Sequence, residues 1–175
     1  QIDTIYCQYK DNEPDAAIAA ADRFIKANPR HPYVDYAYYM KGLANFNRSN
    51  SLLERLAPTD RDKTDTNTAR QAYSDFAELT RKFPDSKYAE DARQRMLFLH
   101  NSLAAYEINV ANFYLRRGAY VAALNRATYV LKTYSRTPAA EDALSIMTQA
   151  YIKMDMPQLA NDSLRVLEHN YPQSP

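Results

Sequence analysis

The sequence is short of residues that several classes of protein depend on. It contains 2 glycines and no tryptophan among 175 residues. Phosphate-binding loops and tight β-hairpin turns need glycine where a side chain would clash or strain the backbone, so neither is expected. The composition favours helices.

Candidate catalytic and metal-binding groups are also scarce. Cys7 is the only cysteine, so no disulfide framework can be built from it. His31, His100 and His169 lie far apart, and none has a second His or Cys four residues away to form a metal-binding helix face. Since there is no nucleophile elbow either, we expect no catalytic residue, metal or cofactor, and no enzyme.

Neither an excess of charge nor a long apolar run is present. The chain has 22 basic and 21 acidic residues, whereas nucleic-acid-binding proteins concentrate basic residues on one face; nucleic acid is therefore not an expected partner. No apolar run reaches the roughly 18 residues of a membrane-spanning helix. Because the chain starts without Met in what reads as the middle of a helix, we expect a fragment whose natural N-terminus lies upstream.

One pattern occurs four times: an amphipathic helix, a corner, and the first turns of another helix. The corners are at Pro29, Pro84, Ser135 and Pro172. An alanine follows each of the first three at the same offset, at Ala37, Ala92 and Ala143. Such units bury their apolar faces only against neighbouring units. We therefore predict an all-α tetratricopeptide-repeat solenoid of antiparallel helix pairs, a single domain with repeats at approximately 1–33, 34–84, 85–137 and 138–175.

Two of the corner spacings exceed the repeat period. Pro29 and Pro84 lie about 55 residues apart, against roughly 34 for one tetratricopeptide unit. The excess falls on a polar, turn-forming stretch, which predicts an excursion loop at about 48–67. The next pair of corners is also too far apart, but there the apolar stripe keeps its helical spacing throughout. This predicts one overlong helix at about 86–117, ended by Gly118 in a left-handed cap.

Tyrosine is abundant, with 15 copies. Four of them crowd one helix start and cannot all face a single apolar stripe. Because tyrosine joins an apolar ring to a polar tip, exposed copies suit a groove that binds peptide segments, and the candidates are Tyr33, Tyr36 and Tyr39. The alternative is packing between helices, with the hydroxyls hydrogen-bonded at the rim.

Charged residues give two more candidate sites, each with a plain structural alternative. Asp60, Arg61 and Asp62 are either a solvated turn or a set of salt bridges that pins the excursion loop to a neighbouring helix. Arg126 follows Asn125 in a helix of small residues, and is either a solvated position or an interface anchor, a role that its fork of donors favours.

Three long segments carry a resemblance to a known family. They are DRFIKANPRHPYVDYAYYMKGLANF (22–46), DRDKTDTNTARQAYSDFAELTRKFPDSKYAEDA (60–92) and AAYEINVANFYLRRGAYVAALNRATYVL (104–131). In this order, over nearly the whole chain, they resemble the BamD family, the tetratricopeptide lipoproteins of the outer-membrane β-barrel assembly machinery of Gram-negative bacteria. That family is similar in having an excursion loop and one unusually long helix.

The resemblance implies a scaffold, lipid-anchored at the periplasmic face of the outer membrane, that helps to fold and insert β-barrel proteins. The signal peptide, the lipid-bearing cysteine and the first repeat would lie upstream, so no residue of this chain, Cys7 included, carries the lipid. The alternative is another periplasmic tetratricopeptide adaptor that binds peptides in envelope or division coordination.

The resemblance also implies partners. The C-terminal repeats would hold a POTRA domain of the BamA-type insertase through Arg126 and Asn125, with Arg116 and Arg117 as further candidates. The N-terminal repeats would receive the aromatic-ended C-terminal segments of unfolded outer-membrane proteins, which makes Tyr33, Tyr36 and Tyr39 groove candidates. Other lipoproteins of the machinery are further implied partners.

Overall fold

The structure is a computed structural model that describes the backbone of residues 2–53 and 62–173, and the side chains of residues 2–49 and 66–173. Within these ranges the secondary structure is entirely helical. The helices are α1 (Ile2–Lys10), α2 (Pro14–Ala27), α3 (Val34–Leu53), α4 (Asp62–Lys82), α5 (Ala89–Arg116), α6 (Tyr120–Thr133), α7 (Ala139–Lys153) and α8 (Pro157–Asn170). None of these helices is both long enough and apolar enough to cross a membrane.

The predicted fold class, an all-α solenoid of the tetratricopeptide type, is confirmed. The chain forms two compact units, Gln1–Leu99 and His100–Pro175. In the first unit, α1 packs on α2, α2 on α3 and α3 on α4; in the second unit, α6 packs on α7 and α7 on α8. The division into four repeats stays a prediction, as do the expected upstream segments.

The corners at Pro29, Pro84 and Ser135 share one backbone hydrogen-bond pattern. The N–H of the first residue after the helix donates to the carbonyl four residues earlier, and the N–H three residues further on donates back to that first residue. These first residues are Asn28, Phe83 and Tyr134. The alanines that recur at a fixed offset, Ala37, Ala92 and Ala143, are all fully buried. The sequence repeat is therefore a repeat of geometry, with a small residue wherever the next helix must approach closely.

The overlong helix is confirmed as the unbroken 28-residue α5. It ends as predicted, since Gly118 has a left-handed φ of 74°. The N–H of Gly118 donates to the Leu115 carbonyl at 3.1 Å, and the N–H of Ala119 donates to the Tyr114 carbonyl at 3.0 Å. These are the paired bonds of a Schellman motif, which satisfy the last carbonyls of the helix.

The excursion loop predicted at about 48–67 is wrong at both ends. Helix α3 continues to Leu53 and α4 begins at Asp62, while residues 54–61 lie outside the described part of the chain. The polar residues after Phe46 lengthen α3 instead of ending it.

Contacts with other helices explain this extension of α3. The amide of Asn47 donates to the hydroxyl of Tyr9 at 2.6 Å, and the guanidinium of Arg48 lies 2.7 Å from the carboxylate of Asp15. A helix that is already nucleated gains one backbone hydrogen bond for each added residue. Polar side chains that have partners on α1 and α2 therefore favour further turns of helix.

Candidate binding surfaces

In the first unit, Tyr39 lies at the centre of an aromatic cluster between α3 and the start of α5. Its ring stacks on that of Tyr88, with 4.7 Å between centroids and an angle of 17°. The Tyr88 ring also contacts that of Tyr36, at 5.5 Å. The hydroxyl of Tyr39 donates to Oδ2 of Asp91 at 2.7 Å. Two of the three predicted groove tyrosines are thus brought together by Tyr88.

Tyr33 is not brought into this cluster. It is 59% exposed, and its ring lies 5.7 Å from that of His31. The backbone N–H of Tyr33 donates to Nδ1 of His31 at 3.2 Å. Tyr33 therefore belongs to the corner between α2 and α3.

Arg95 forms the polar side of the tyrosine cluster. Its Nε donates to Oδ2 of Asp91 at 2.6 Å, and its Nη2 donates to Oδ1 at 3.4 Å. The guanidinium lies 4.8 Å from the ring centroid of Phe46, a ring that also contacts the exposed Phe98. Ring faces, a phenolic hydroxyl and a guanidinium are therefore adjacent, and together they can contact an apolar side chain and a carboxylate of one ligand.

The titration of this cluster follows from burial and hydrogen bonding. Burial raises the pKa of Tyr39 to about 12, and its hydrogen bond to Asp91 acts in the same direction. Burial also acts to raise the pKa of Asp91, but the hydrogen bonds from Arg95 and Tyr39 outweigh it, so this pKa is lowered. At neutral pH the cluster thus presents an uncharged phenol beside an ionised pair.

A buried carboxylate, Asp75, ties α3 to α4 in the same unit. It accepts hydrogen bonds from Nδ2 of Asn45 at 2.7 Å and from Nε2 of Gln71 at 2.9 Å, and Nζ of Lys41 lies 3.6 Å away. Burial raises the pKa of Asp75 by more than these partners lower it. The group is enclosed by its own helices, so its role is structural.

We expect Asp75→Asn to change how stability depends on pH. Because the folded-state pKa lies above the ordinary value of 3.8, the folded chain binds this proton more tightly than the unfolded chain. The contribution of Asp75 to stability is therefore most favourable below that value and declines as pH rises through the folded-state pKa. Urea unfolding between pH 4 and pH 7 should show the wild type losing free energy of unfolding relative to the variant as pH rises.

Asp91→Asn is the matched control, because the pKa of Asp91 is lowered. Its stabilisation is present above the ordinary pKa of 3.8 and is lost as pH falls below that value. The same measurement extended below pH 4 should therefore show a trend of the opposite sign for Asp91→Asn. A pH-independent difference between the wild type and Asp75→Asn would contradict the prediction.

In the second unit, Arg126 on α6 pairs with a buried carboxylate on α5. Its Nη1 lies 3.0 Å from Oε2 of Glu107, and the side chains are 45% and 4% exposed, respectively. Asn125 is exposed beside it. Since a buried carboxylate needs a compensating charge, the pair fixes the position of the guanidinium while leaving much of it in solvent.

Arg116 and Arg117 form a separate patch where α5 ends. Both are exposed, and the Arg117 guanidinium lies 5.0 Å from the ring centroid of Phe113. Along α5, Arg116 lies about 14 Å from Glu107 at the rise of an α-helix. The four predicted contact residues therefore fall into two patches.

The predicted pinning of the loop by Asp60, Arg61 and Asp62 stays a prediction. Asp60 and Arg61 lie outside the described residues. Asp62 is the first residue of α4, at a position where only the backbone is described.

Four residues of these surfaces were not predicted as site residues from the sequence: Tyr88, Asp91, Arg95 and Glu107. The carboxylate of Asp91 and the guanidinium of Arg95 are four residues apart, a spacing that predicts an ion pair on a helix. The sequence also contains a signal for Glu107. This residue lies four positions after Leu103 and four before Ala111, so it places a charge within the apolar face of α5. No local pattern links Tyr88 to Tyr39.

Comparison with known proteins identifies the family. The sequence matches YfiO, described as an outer membrane lipoprotein, over residues 1–175. Similar curated proteins include three named outer membrane protein assembly factor BamD. That of Neisseria gonorrhoeae is 49% identical over 175 residues, that of Xylella fastidiosa strain Temecula1 is 38% identical over 174 residues, and that of Vibrio cholerae is 36% identical over 170 residues.

These alignments cover 100%, 99% and 97% of the chain, which spans 66%, 59% and 70% of the respective relatives. The resemblance that the motifs carry is therefore confirmed. The chain belongs to the YfiO family of outer membrane lipoproteins.

Proposed function

We propose that the chain belongs to a non-enzymatic scaffold of the β-barrel assembly machinery, which helps to fold and insert outer-membrane β-barrel proteins. In the full-length protein, a lipid anchor upstream of this chain would hold the scaffold at the periplasmic face of the outer membrane. The name of its relatives, outer membrane protein assembly factor, supports this role. The same name favours this role over the alternative, a periplasmic tetratricopeptide adaptor that binds peptides in envelope or division coordination. Other lipoproteins of the machinery are further proposed partners.

The observation that carries the proposal is the pair formed by Arg126 and Glu107. A guanidinium held at the surface by a buried carboxylate can form charge-assisted hydrogen bonds with a partner. We propose that α6, the helix that carries Arg126, contacts a POTRA domain of the BamA-type insertase, as the family resemblance implies. Asn125 extends this contact surface, and Arg116 with Arg117 offers a second one.

Arg126→Met tests the insertase contact, because methionine covers the same surface without the charge. Titration calorimetry against the soluble POTRA region of the insertase should show binding weakened about tenfold or more, as for a central interface arginine. Circular dichroism at the same temperature confirms that the variant is folded. Arg136→Met, which removes an exposed arginine at a corner, should bind like the wild type. Unchanged affinity for Arg126→Met would contradict the proposal.

The tyrosine cluster of the first unit is the second proposed contact, for the aromatic-ended C-terminal segments of unfolded outer-membrane proteins. Its stacked rings and the Arg95 guanidinium offer an apolar face beside a cation. An aromatic chain end with its free carboxylate has both complementary groups.

Tyr88→Ala tests the tyrosine cluster, because it removes the ring that joins Tyr36 to Tyr39. Fluorescence anisotropy with a labelled peptide ending in phenylalanine should show binding weakened about fivefold or more, given that aromatic anchors dominate such contacts. Tyr33→Ala is the control, since Tyr33 lies outside the cluster, and it should leave binding unchanged. Equal losses for both variants would contradict the assignment of the groove to this cluster.

A further inference from the structure

We propose that Glu107 is a positioning residue for the partner contact of Arg126. The buried carboxylate holds the guanidinium at the α5–α6 surface in a geometry ready for binding. This inference rests on the proposed function, because it requires that Arg126 contacts the insertase.

Glu107 is a charged residue among buried apolar neighbours, and a contribution to folding stability alone does not explain its presence there. On α5 it is flanked by residues that are all buried: Leu103, Ala104, Ile108 and Ala111. Replacing a buried ion pair by well-packed apolar residues is often neutral or stabilising. Stability alone therefore does not require an ion pair at this position, and Glu107 supplies a fixed partner for a surface arginine on the next helix.

The geometry of the pair leaves the guanidinium available. The Arg126 side chain donates a hydrogen bond from Nη1 to Oε2 of Glu107 at 3.0 Å. Nε and Nη2 are donors as well, and the side chain is 45% exposed. A partner carboxylate can thus approach the guanidinium from solvent while Glu107 holds it from the core side.

Holding Arg126 in place favours binding, since a free surface arginine populates many rotamers and loses that freedom when a partner immobilises it. With Glu107 in place, part of this loss occurs on folding. The charge of Glu107 repels a partner carboxylate, but the Arg126 guanidinium lies between the two carboxylates. The partner carboxylate, in contrast, accepts hydrogen bonds directly from the guanidinium. We therefore expect Glu107 to strengthen the contact.

A double-mutant cycle tests this role. Glu107→Gln keeps the size of the side chain and a hydrogen-bond acceptor but removes the charge. Calorimetry against the POTRA region of the insertase should show Glu107→Gln weakening binding about three- to tenfold, the range for one immobilised side chain, and Arg126→Met weakening it further. The double variant should bind like Arg126→Met alone, because Glu107 acts only through Arg126.

Melting curves of all four proteins establish that each is folded at the temperature of the titration. If Glu107→Gln binds as tightly as the wild type or more tightly while Arg126→Met binds weakly, the positioning role is overturned and the proposed function stands. An equal loss from Glu107→Gln in both backgrounds marks a general structural effect and also overturns the role. If Arg126→Met binds like the wild type, the proposed insertase contact fails and this inference fails with it.

Discussion

Arg126→Glu is expected to destabilise the second unit by about 3–5 kcal/mol, the cost of removing one partner of a buried ion pair. The substitution removes the cation 3.0 Å from Glu107, whose side chain is 4% exposed. It also places a second carboxylate on the same surface. Urea unfolding followed by circular dichroism measures the loss directly.

Two further variants separate the causes of this loss. Arg126→Met removes the cation without adding a like charge, so it should be more stable than Arg126→Glu. Combining Arg126→Glu with Glu107→Gln removes the buried charge and should recover part of the stability. If Arg126→Glu unfolds at the same urea concentration as the wild type, Glu107 does not depend on Arg126 for compensation.

This expected loss of stability decides which variant can report on binding. Arg126→Glu would weaken binding to an insertase both by repulsion and by reducing the folded population. Arg126→Met introduces no repulsion between carboxylates. A loss of affinity in Arg126→Met, measured where the protein is folded, therefore reports on the contact itself.

The regular parts of the fold were predictable because their signals are local. The residue before Pro29 or Pro84 is pushed out of the helical region by steric contact with the proline ring, so two adjacent residues predict each of these two corners. The signal at Gly118 is equally local, because a left-handed helix cap favours glycine, which has no Cβ. The length of α5 followed from an apolar stripe of constant period.

The predicted start of the loop was wrong because residues near it are stabilised by partners that are distant in sequence. Asn47 and Tyr9 are 38 residues apart, and Arg48 and Asp15 are 33 residues apart. The composition of this stretch shows that such residues are polar, but it does not indicate which side chains they contact in the folded protein.

The same limit applies to the tyrosine cluster. The density of tyrosines predicted that some of them would be accessible, but the hydrogen bond from Tyr39 to Asp91 joins residues that are 52 apart. Tyr33 and Tyr36 are close in sequence, yet only Tyr36 reaches the ring of Tyr88. Which tyrosines share a surface is thus decided by how α3 meets the start of α5.

Gly42→Ala is expected to destabilise the first unit by about 2 kcal/mol, within the range for overpacking a core. A Cβ at this position would lie 2.6 Å from Cε1 and 2.7 Å from Cδ1 of Phe76. The Phe76 ring is fully buried and is in contact with the rings of Tyr39 and Phe46, so it has little room to move. The clash should exceed the roughly 1 kcal/mol by which alanine is the better helix former.

A cycle with Phe76→Ala identifies the clash as the cause. Phe76→Ala alone should cost about 3–5 kcal/mol because it leaves a cavity, and adding Gly42→Ala to it should cost nothing further, since the new methyl group then enters empty space. An increase in stability of about 1 kcal/mol for Gly42→Ala alone, as helix propensity requires, would show instead that α3 and α4 can move apart. That result would also weaken the groove assignment, because Phe76 supports the ring of Tyr39 only while the two helices stay in close contact.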